Sequence, residues 1–183
     1  KEIIFETTVR HNQKLSPFAQ RRKQAEIGLE IIKNKFSDKK INKLRDVSLE
    51  MLESLRNEMD DIIYRRCLHP ISERQRVIET KEALKEKKFE VLIKNMIESH
   101  RSLKENYEVT CPEIDIAFEE AYNIDGIIAA RMTGGGFGGC TINLVKKEKS
   151  QDFAQKLKEV FQKKTGLNPR FYICRAGNGI QIV

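Results

Sequence analysis

Residues 126–145 read Gly-Ile-Ile-Ala-Ala-Arg-Met-Thr-Gly-Gly-Gly-Phe-Gly-Gly-Cys-Thr-Ile-Asn-Leu-Val. Residues 126–131 form a short apolar run rich in β-branched side chains, and residues 140–145 alternate apolar with polar, so each reads as a strand. Between them, residues 133–139 are a glycine-rich turn. This strand, loop, strand unit is where the sequence changes grammar, and the fold class turns on it.

Working downstream, Phe153, Leu157, Val160 and Phe161 mark an amphipathic helix with Gly166 as its C-cap. Residues 171–174 (Phe-Tyr-Ile-Cys) read as another strand, and Gly177-Asn-Gly179 leads into a last apolar strand. Upstream, the pattern is helical for most of two-thirds of the chain. Ser16 as N-cap and Pro17 as first residue open a helix with Phe18, Ala25, Leu29 and Ile32 along one face, and residues 33–40 are a polar loop. Leu44, Val47, Met51, Leu52, Leu55 and Met59 predict a second helical stretch. A third runs from about residue 60 to 85, with Pro70 as a kink or break. Phe89, Leu92, Met96, His100, Leu103 and Tyr107 hold helical spacing to the end of a fourth, and Pro112 opens a short helix that ends near Asn123. Residues 3–9 are β-branched and aromatic and read as a strand. The expected class is therefore α+β: a helix-rich N-terminal two-thirds with a small antiparallel sheet.

The chain has 183 residues, long enough for one domain and short for two. It is 39% hydrophobic and 33% charged with four prolines, which excludes disordered, collagenous and disulfide-stapled classes. No apolar run approaches the roughly 18 residues of a membrane span, and the first residues lack the layout of a secretory leader. The expected location is the cytoplasm, with no membrane partner. Cys67, Cys111, Cys140 and Cys174 are scattered, without a Cys-x-x-Cys pair or a histidine at metal-ligand offset, and read as reduced, buried thiols with no metal site. Formal charge is +7, with 34 basic and 27 acidic residues largely interleaved, as in residues 81–88. Base-stacking aromatics do not accompany that charge, so no nucleic-acid partner is expected.

Five of the ten glycines lie in residues 132–139. Glycines permit positive φ and let backbone N–H groups converge on a concavity that holds an anion, and Arg131 adds a charge at its mouth. A Gly-Lys-Ser/Thr element is missing and a strand follows where a helix would be required, which excludes a P-loop or dinucleotide fingerprint. The competing reading is a flexible or tightly packed hairpin.

Residues 130–141 (Ala-Arg-Met-Thr-Gly-Gly-Gly-Phe-Gly-Gly-Cys-Thr) closely resemble the third motif of the GHMP kinases in its galactokinase form. Residues 99–115 resemble the galactokinase segment ahead of it. Tyr64-Arg-Arg66, Glu73 and Arg76 resemble the family's basic helix, and Arg21-Arg22 with Glu26 its double-Arg helix. The resemblance covers essentially the whole of residues 1–183 and implies a kinase C-terminal half. Such kinases move the γ-phosphoryl of Mg-ATP to the anomeric hydroxyl of galactose, in a cleft between two halves. It also implies that the catalytic Asp, its partner Arg, the nucleotide loop and the first sugar motif belong to an N-terminal half, with residues 1–10 a strand continuing from it. No catalytic residue is then expected in this chain, which by itself would be inactive. Arg131, Thr133, Gly134, Gly135, Gly136, Gly138 and Gly139 would form the phosphate side of the cleft, while Phe137 packs. An isolated half would expose its cleft wall and could self-associate through it.

Two positions depart from the family. Phe18 stands where galactokinases carry a Tyr whose hydroxyl reaches the sugar, a loss worth about 0.5–1.5 kcal/mol; Phe18 also reads simply as the first core residue of its helix. Arg74 stands where the family's Glu-Asn-x-Arg pattern has asparagine. His11, His69 and His100 lack a nucleophile or ligand partner at useful spacing and are read as packed or solvated. For Arg22, an i, i+4 ion pair with Glu26 is the plainer reading than a phosphate contact. The alternatives left open are a non-catalytic sugar and nucleotide sensor that keeps the kinase fold, and a basic RNA-binding module.

Overall fold

The computed structural model describes residues 1–9 and 17–177, so Ser16, His11 and the expected last strand lie outside the described residues. The chain divides into two compact units, one of residues 1–11 and 110–183, the other of residues 12–109.

The first unit carries the sheet. Strands β1 (Glu2–Glu6), β2 (Ile127–Thr133), β3 (Cys140–Val145) and β4 (Arg170–Cys174) are ordered β2-β3-β1-β4. Every neighbouring pair is antiparallel, with Ile3 opposite both Asn143 and Ile173. Helix α5 (Pro112–Ala121) and helix α6 (Ser150–Thr165) supply the apolar layer of this unit. Its core joins Ile3 and Phe5 of β1 to Ala117, Ala121, Phe153, Leu157 and Phe161. Phe5 and Phe161 meet edge to face at 5.3 Å, and each fully buried Phe contributes about 1.5–3 kcal/mol. Gly166 ends α6 in the left-handed region, φ 72°, as its sequence position predicts. Strand β1 is shorter than the 3–9 run suggests because Thr8 turns to φ 66° and ends the extended backbone.

The second unit is helical: α1 (Pro17–Lys35), α2 (Leu49–Glu53), α3 (Asp61–Lys85) and α4 (Phe89–Ser102). Ile32, Val47, Leu52, Leu55, Cys67 and Ile71 form its core. Gly28 permits the close crossing of α1 and α3, since a Cβ there would stand 2.1 Å from Cys67 Sγ.

Four expectations are corrected here. The second helical stretch is a 3₁₀ turn at Leu44–Asp46 and the five-residue α2, because local side chains interrupt it. The Asp46 carboxylate accepts from Asn42 N–H and Lys43 N–H at 2.9 Å, Ser48 caps α2, and Asp60 caps α3. Pro70 lies inside α3 without ending it. The fourth helix closes in a π-helical turn, Leu103–Tyr107, stopped by Glu108 at φ 52°. Of the cysteines only Cys67 is fully buried, and burial pushes its thiol up to about 12; Cys111, Cys140 and Cys174 are half-buried and all four are free.

Candidate functional site

The glycine loop is the turn between β2 and β3, with Thr133 paired to Cys140 at its base. Along β2 the buried Ala130 and Met132 alternate with the half-buried Arg131 and the exposed Thr133. Gly134, Gly136, Gly138 and Gly139 all adopt positive φ, from 85° to 135°, and Phe137 joins them at 58°. Such a succession of left-handed residues is available to glycine at little cost and explains four of the five glycines by conformation. Gly138 is further required by space, because a Cβ there would stand 2.7 Å from the Val9 carbonyl oxygen.

Gly135 is different. Its φ is outside the left-handed region, and a Cβ built on it meets nothing within 4 Å. Neither backbone conformation nor packing asks for glycine here, so the tightly packed hairpin does not account for this position. Gly134 and Gly135 are exposed, and a Cβ at either would meet nothing within 4 Å.

The other predicted residues fall into place unevenly. Arg131 donates from Nε to the Met132 carbonyl at 3.0 Å, so part of its guanidinium is turned onto the loop's own backbone. Phe137 is half-buried, in keeping with packing. Burial and the nearby Glu6 carboxylate push the Cys140 thiol up, which removes it as a ready thiolate beside the loop.

Phe18 belongs to the helical unit. It is 40% exposed, with its ring and that of Tyr107 in a T-shaped arrangement, 6.1 Å between centroids, and so is not the first core residue of α1. Tyr107 in turn lies 4.9 Å from the His69 ring, and His69 Nδ1 pairs with Ser102 Oγ at 3.0 Å, a packed histidine as expected. Arg22 pairs with Glu26 at 2.9 Å on the surface, also as expected.

Sequence reasoning missed Glu108. Arg66, 2% exposed at its side chain, donates to Glu108 at 2.6 Å; Arg65 donates to the same carboxylate, and Arg21 stands 3.6 Å away. Arg66 also donates to Asn106 O and to Gln24 Oε1, the latter at 3.0 Å, while Arg65 donates to Glu105 O at 2.7 Å. Burial raises the Glu108 carboxyl, but the hydrogen bonds from Arg65 and Arg66 outweigh it and hold it below the usual carboxylate range. The double-Arg and basic helices are thus tied to the π-turn, and Arg21 is engaged with protein charge. No local spacing signals this, since Arg66 and Glu108 are 42 residues apart.

A groove of about 460 Å³ in the helical unit is lined by Ser72, Arg76, Arg101, Ser102 and Asn106 among others. Its cations are matched within the protein, Arg76 to Glu73 at 2.6 Å and Arg101 to Glu98 at 2.9 Å, so it offers an anion little unmatched charge.

Comparison with known proteins bears on the family and the fold. Residues 80–163 match the family described as GHMP kinases C terminal. The galactokinase of Bacillus subtilis (strain 168) is 47% identical over 115 residues, 63% of this chain and 30% of that protein. The galactokinase of Halalkalibacterium halodurans is 35% identical over 181 residues, covering 98% of this chain and 45% of that one. Among solved structures, Lactococcus lactis galactokinase complexed with galactose superposes with a TM-score of 0.88 at 27% identity, over 97% of this chain and 45% of its own. The chain therefore spans less than half the length of these relatives.

Proposed function

Because this chain belongs to the GHMP kinases as a C-terminal domain of the galactokinase kind, we propose that it completes a sugar kinase that transfers the γ-phosphoryl of Mg-ATP to the anomeric hydroxyl of galactose or a related sugar. The observation that carries this reading is Gly135, a glycine that neither φ nor packing requires, at the open tip of a loop of otherwise left-handed residues. A glycine of that kind leaves room for something to approach the backbone, and an anion suits converging N–H groups.

Phosphoryl transfer depends on positioning and on neutralising the charge of the moving group. In this reading the amides of Gly134 and Gly135 face the triphosphate, Thr133 offers a hydroxyl, and Arg131 supplies charge at the loop's mouth, alongside Gly136, Gly138 and Gly139 that shape the turn. Mg²⁺ would arrive on the nucleotide. Phe18 lies on the sugar side. The catalytic Asp and the nucleotide loop reside in an upstream half, from which residues 1–10 continue. Among the described residues no helix is long and apolar enough to cross a membrane, and a cytoplasmic kinase is the proposed setting. The wall that would face the upstream half is exposed in the isolated chain and mediates self-association; a strict monomer at high concentration by size exclusion would refute that point.

The test is coupled ADP release with Mg-ATP and a panel of sugars led by galactose. The 183-residue chain should show no turnover, and joining it to an upstream half should restore activity. Turnover by the chain alone would overturn the assignment, as would an inactive two-half protein that binds sugar and nucleotide, which would mark a sensor.

A further inference from the structure

We propose that Thr7 is a positioning residue that fixes the C-terminal arm of the glycine loop, an inference that rests on the kinase reading above. Thr7 is fully buried just beyond β1. Its backbone N–H and its Oγ1 both donate to the Gly139 carbonyl, at 2.9 and 2.8 Å. The same hydroxyl accepts from Val9 N–H at 3.4 Å, and the Val9 carbonyl accepts from Gly139 N–H at 3.2 Å. One side chain therefore bridges both partners of the last rung between the end of β1 and the loop.

Three features distinguish this from an ordinary sheet end. The backbone bond from Thr7 to Gly139 already satisfies the ladder, so the hydroxyl is an additional donor to the same oxygen. With two donors the Gly139 carbonyl is committed to Thr7, and its negative end is kept away from the space where a phosphate would sit. Thr8, which is β-branched, is held at φ 66° with its hydroxyl donating to the Thr7 carbonyl at 2.6 Å, and Phe137 across the loop is held at φ 58°. Non-glycine residues in this region persist where surrounding structure over-determines them, and such positions gather at ligand sites. Gly138, packed against the Val9 carbonyl, completes the contact.

The experiment compares Thr7→Val and Thr7→Ser in the chain joined to its upstream half. Thr7→Val keeps the shape and removes the hydroxyl, and the KM for Mg-ATP should rise about three- to tenfold, the range of one lost hydrogen bond, while the KM for sugar stays put. Thr7→Ser should restore the wild-type value. An unchanged KM for Mg-ATP in Thr7→Val, or equal rises for both substrates, overturns the proposal. If the wild-type two-half protein shows no kinase activity, the kinase reading fails by itself. Amide hydrogen exchange then tests Thr7 in the chain alone. Exchange at Gly139 accelerated about tenfold or more in Thr7→Val but not in Thr7→Ser upholds the clamp, and exchange unchanged in both refutes it.

Discussion

Arg66 and Glu108 form an ion pair at 2.6 Å in which the arginine side chain is 2% exposed and the carboxylate 37% exposed. The pair is asymmetric: the cation has left water and the anion keeps part of its hydration. Arg65 and Arg21 approach the same carboxylate, so one negative charge holds three positive ones against the π-turn.

Removing that carboxylate leaves Arg66 buried without its counter-charge. Breaking a fully buried pair costs about 3–5 kcal/mol, and the partial exposure of Glu108 lowers this to roughly 2 kcal/mol. Glu108→Ala should therefore lower the unfolding free energy by about that amount in urea denaturation. Arg22→Ala, which removes an exposed i, i+4 pair, should cost less than about 0.5 kcal/mol. Equal effects of the two would refute the structural role given to Glu108.

The same carboxylate sets a pH dependence. Its folded pKa lies below the ordinary range, as does that of Asp61, which Arg56 and Arg65 hold down by hydrogen bonds. A depressed carboxylate contributes stability above its unfolded pKa, about 4.3 for Glu, and that contribution is lost as pH falls through the folded value. Denaturation midpoints should thus be level near neutrality and fall below about pH 4. In Glu108→Gln the acid slope should be shallower, and an unchanged slope would exclude Glu108 as its source.

Gly135 and Gly138 should behave in opposite ways when changed to alanine. A Cβ at Gly138 meets the Val9 carbonyl at 2.7 Å and φ there is 135°, so Gly138→Ala should unfold or distort the loop, seen as a lowered thermal midpoint. Gly135 has open space and an ordinary φ. Gly135→Ala should leave the midpoint within about a degree, while crowding the phosphate and raising the KM for Mg-ATP in the two-half enzyme. Unchanged kinetics in Gly135→Ala would remove the observation on which the nucleotide-side reading stands.

Phe18→Tyr returns a hydroxyl to the sugar side. Since Phe18 is 40% exposed, the added oxygen need not be buried and stability should hardly move. Affinity for galactose should improve by up to about tenfold, the worth of one hydrogen bond. If another sugar gains more than galactose, Phe18 marks the chain's own preference.

Much of the architecture was legible along the chain because its signals are local. Apolar alternation gave β3, Pro112 and Gly166 marked the start of α5 and the end of α6, and glycine density marked the loop. The second helical stretch misled because periodicity counts apolar residues, whereas Asp46, Ser48 and Asp60 capture backbone N–H groups and break the run. The span of α3 was legible too, although the break allowed at Pro70 does not occur, since α3 continues through it.

What the sequence alone determined is the α+β class, the order of most elements and the presence of a glycine-rich turn between two strands, all of which follow from conformational preferences within a few residues. Only the tertiary structure decided that Thr7 grips Gly139 across 132 residues, that Arg66 meets Glu108, and that Gly135 is open while Gly138 is packed. The reason is physical: propensity and periodicity act over a turn or a strand, but which carbonyl a buried hydroxyl reaches, or which carboxylate neutralises a buried guanidinium, is fixed by non-local strand register and helix crossing.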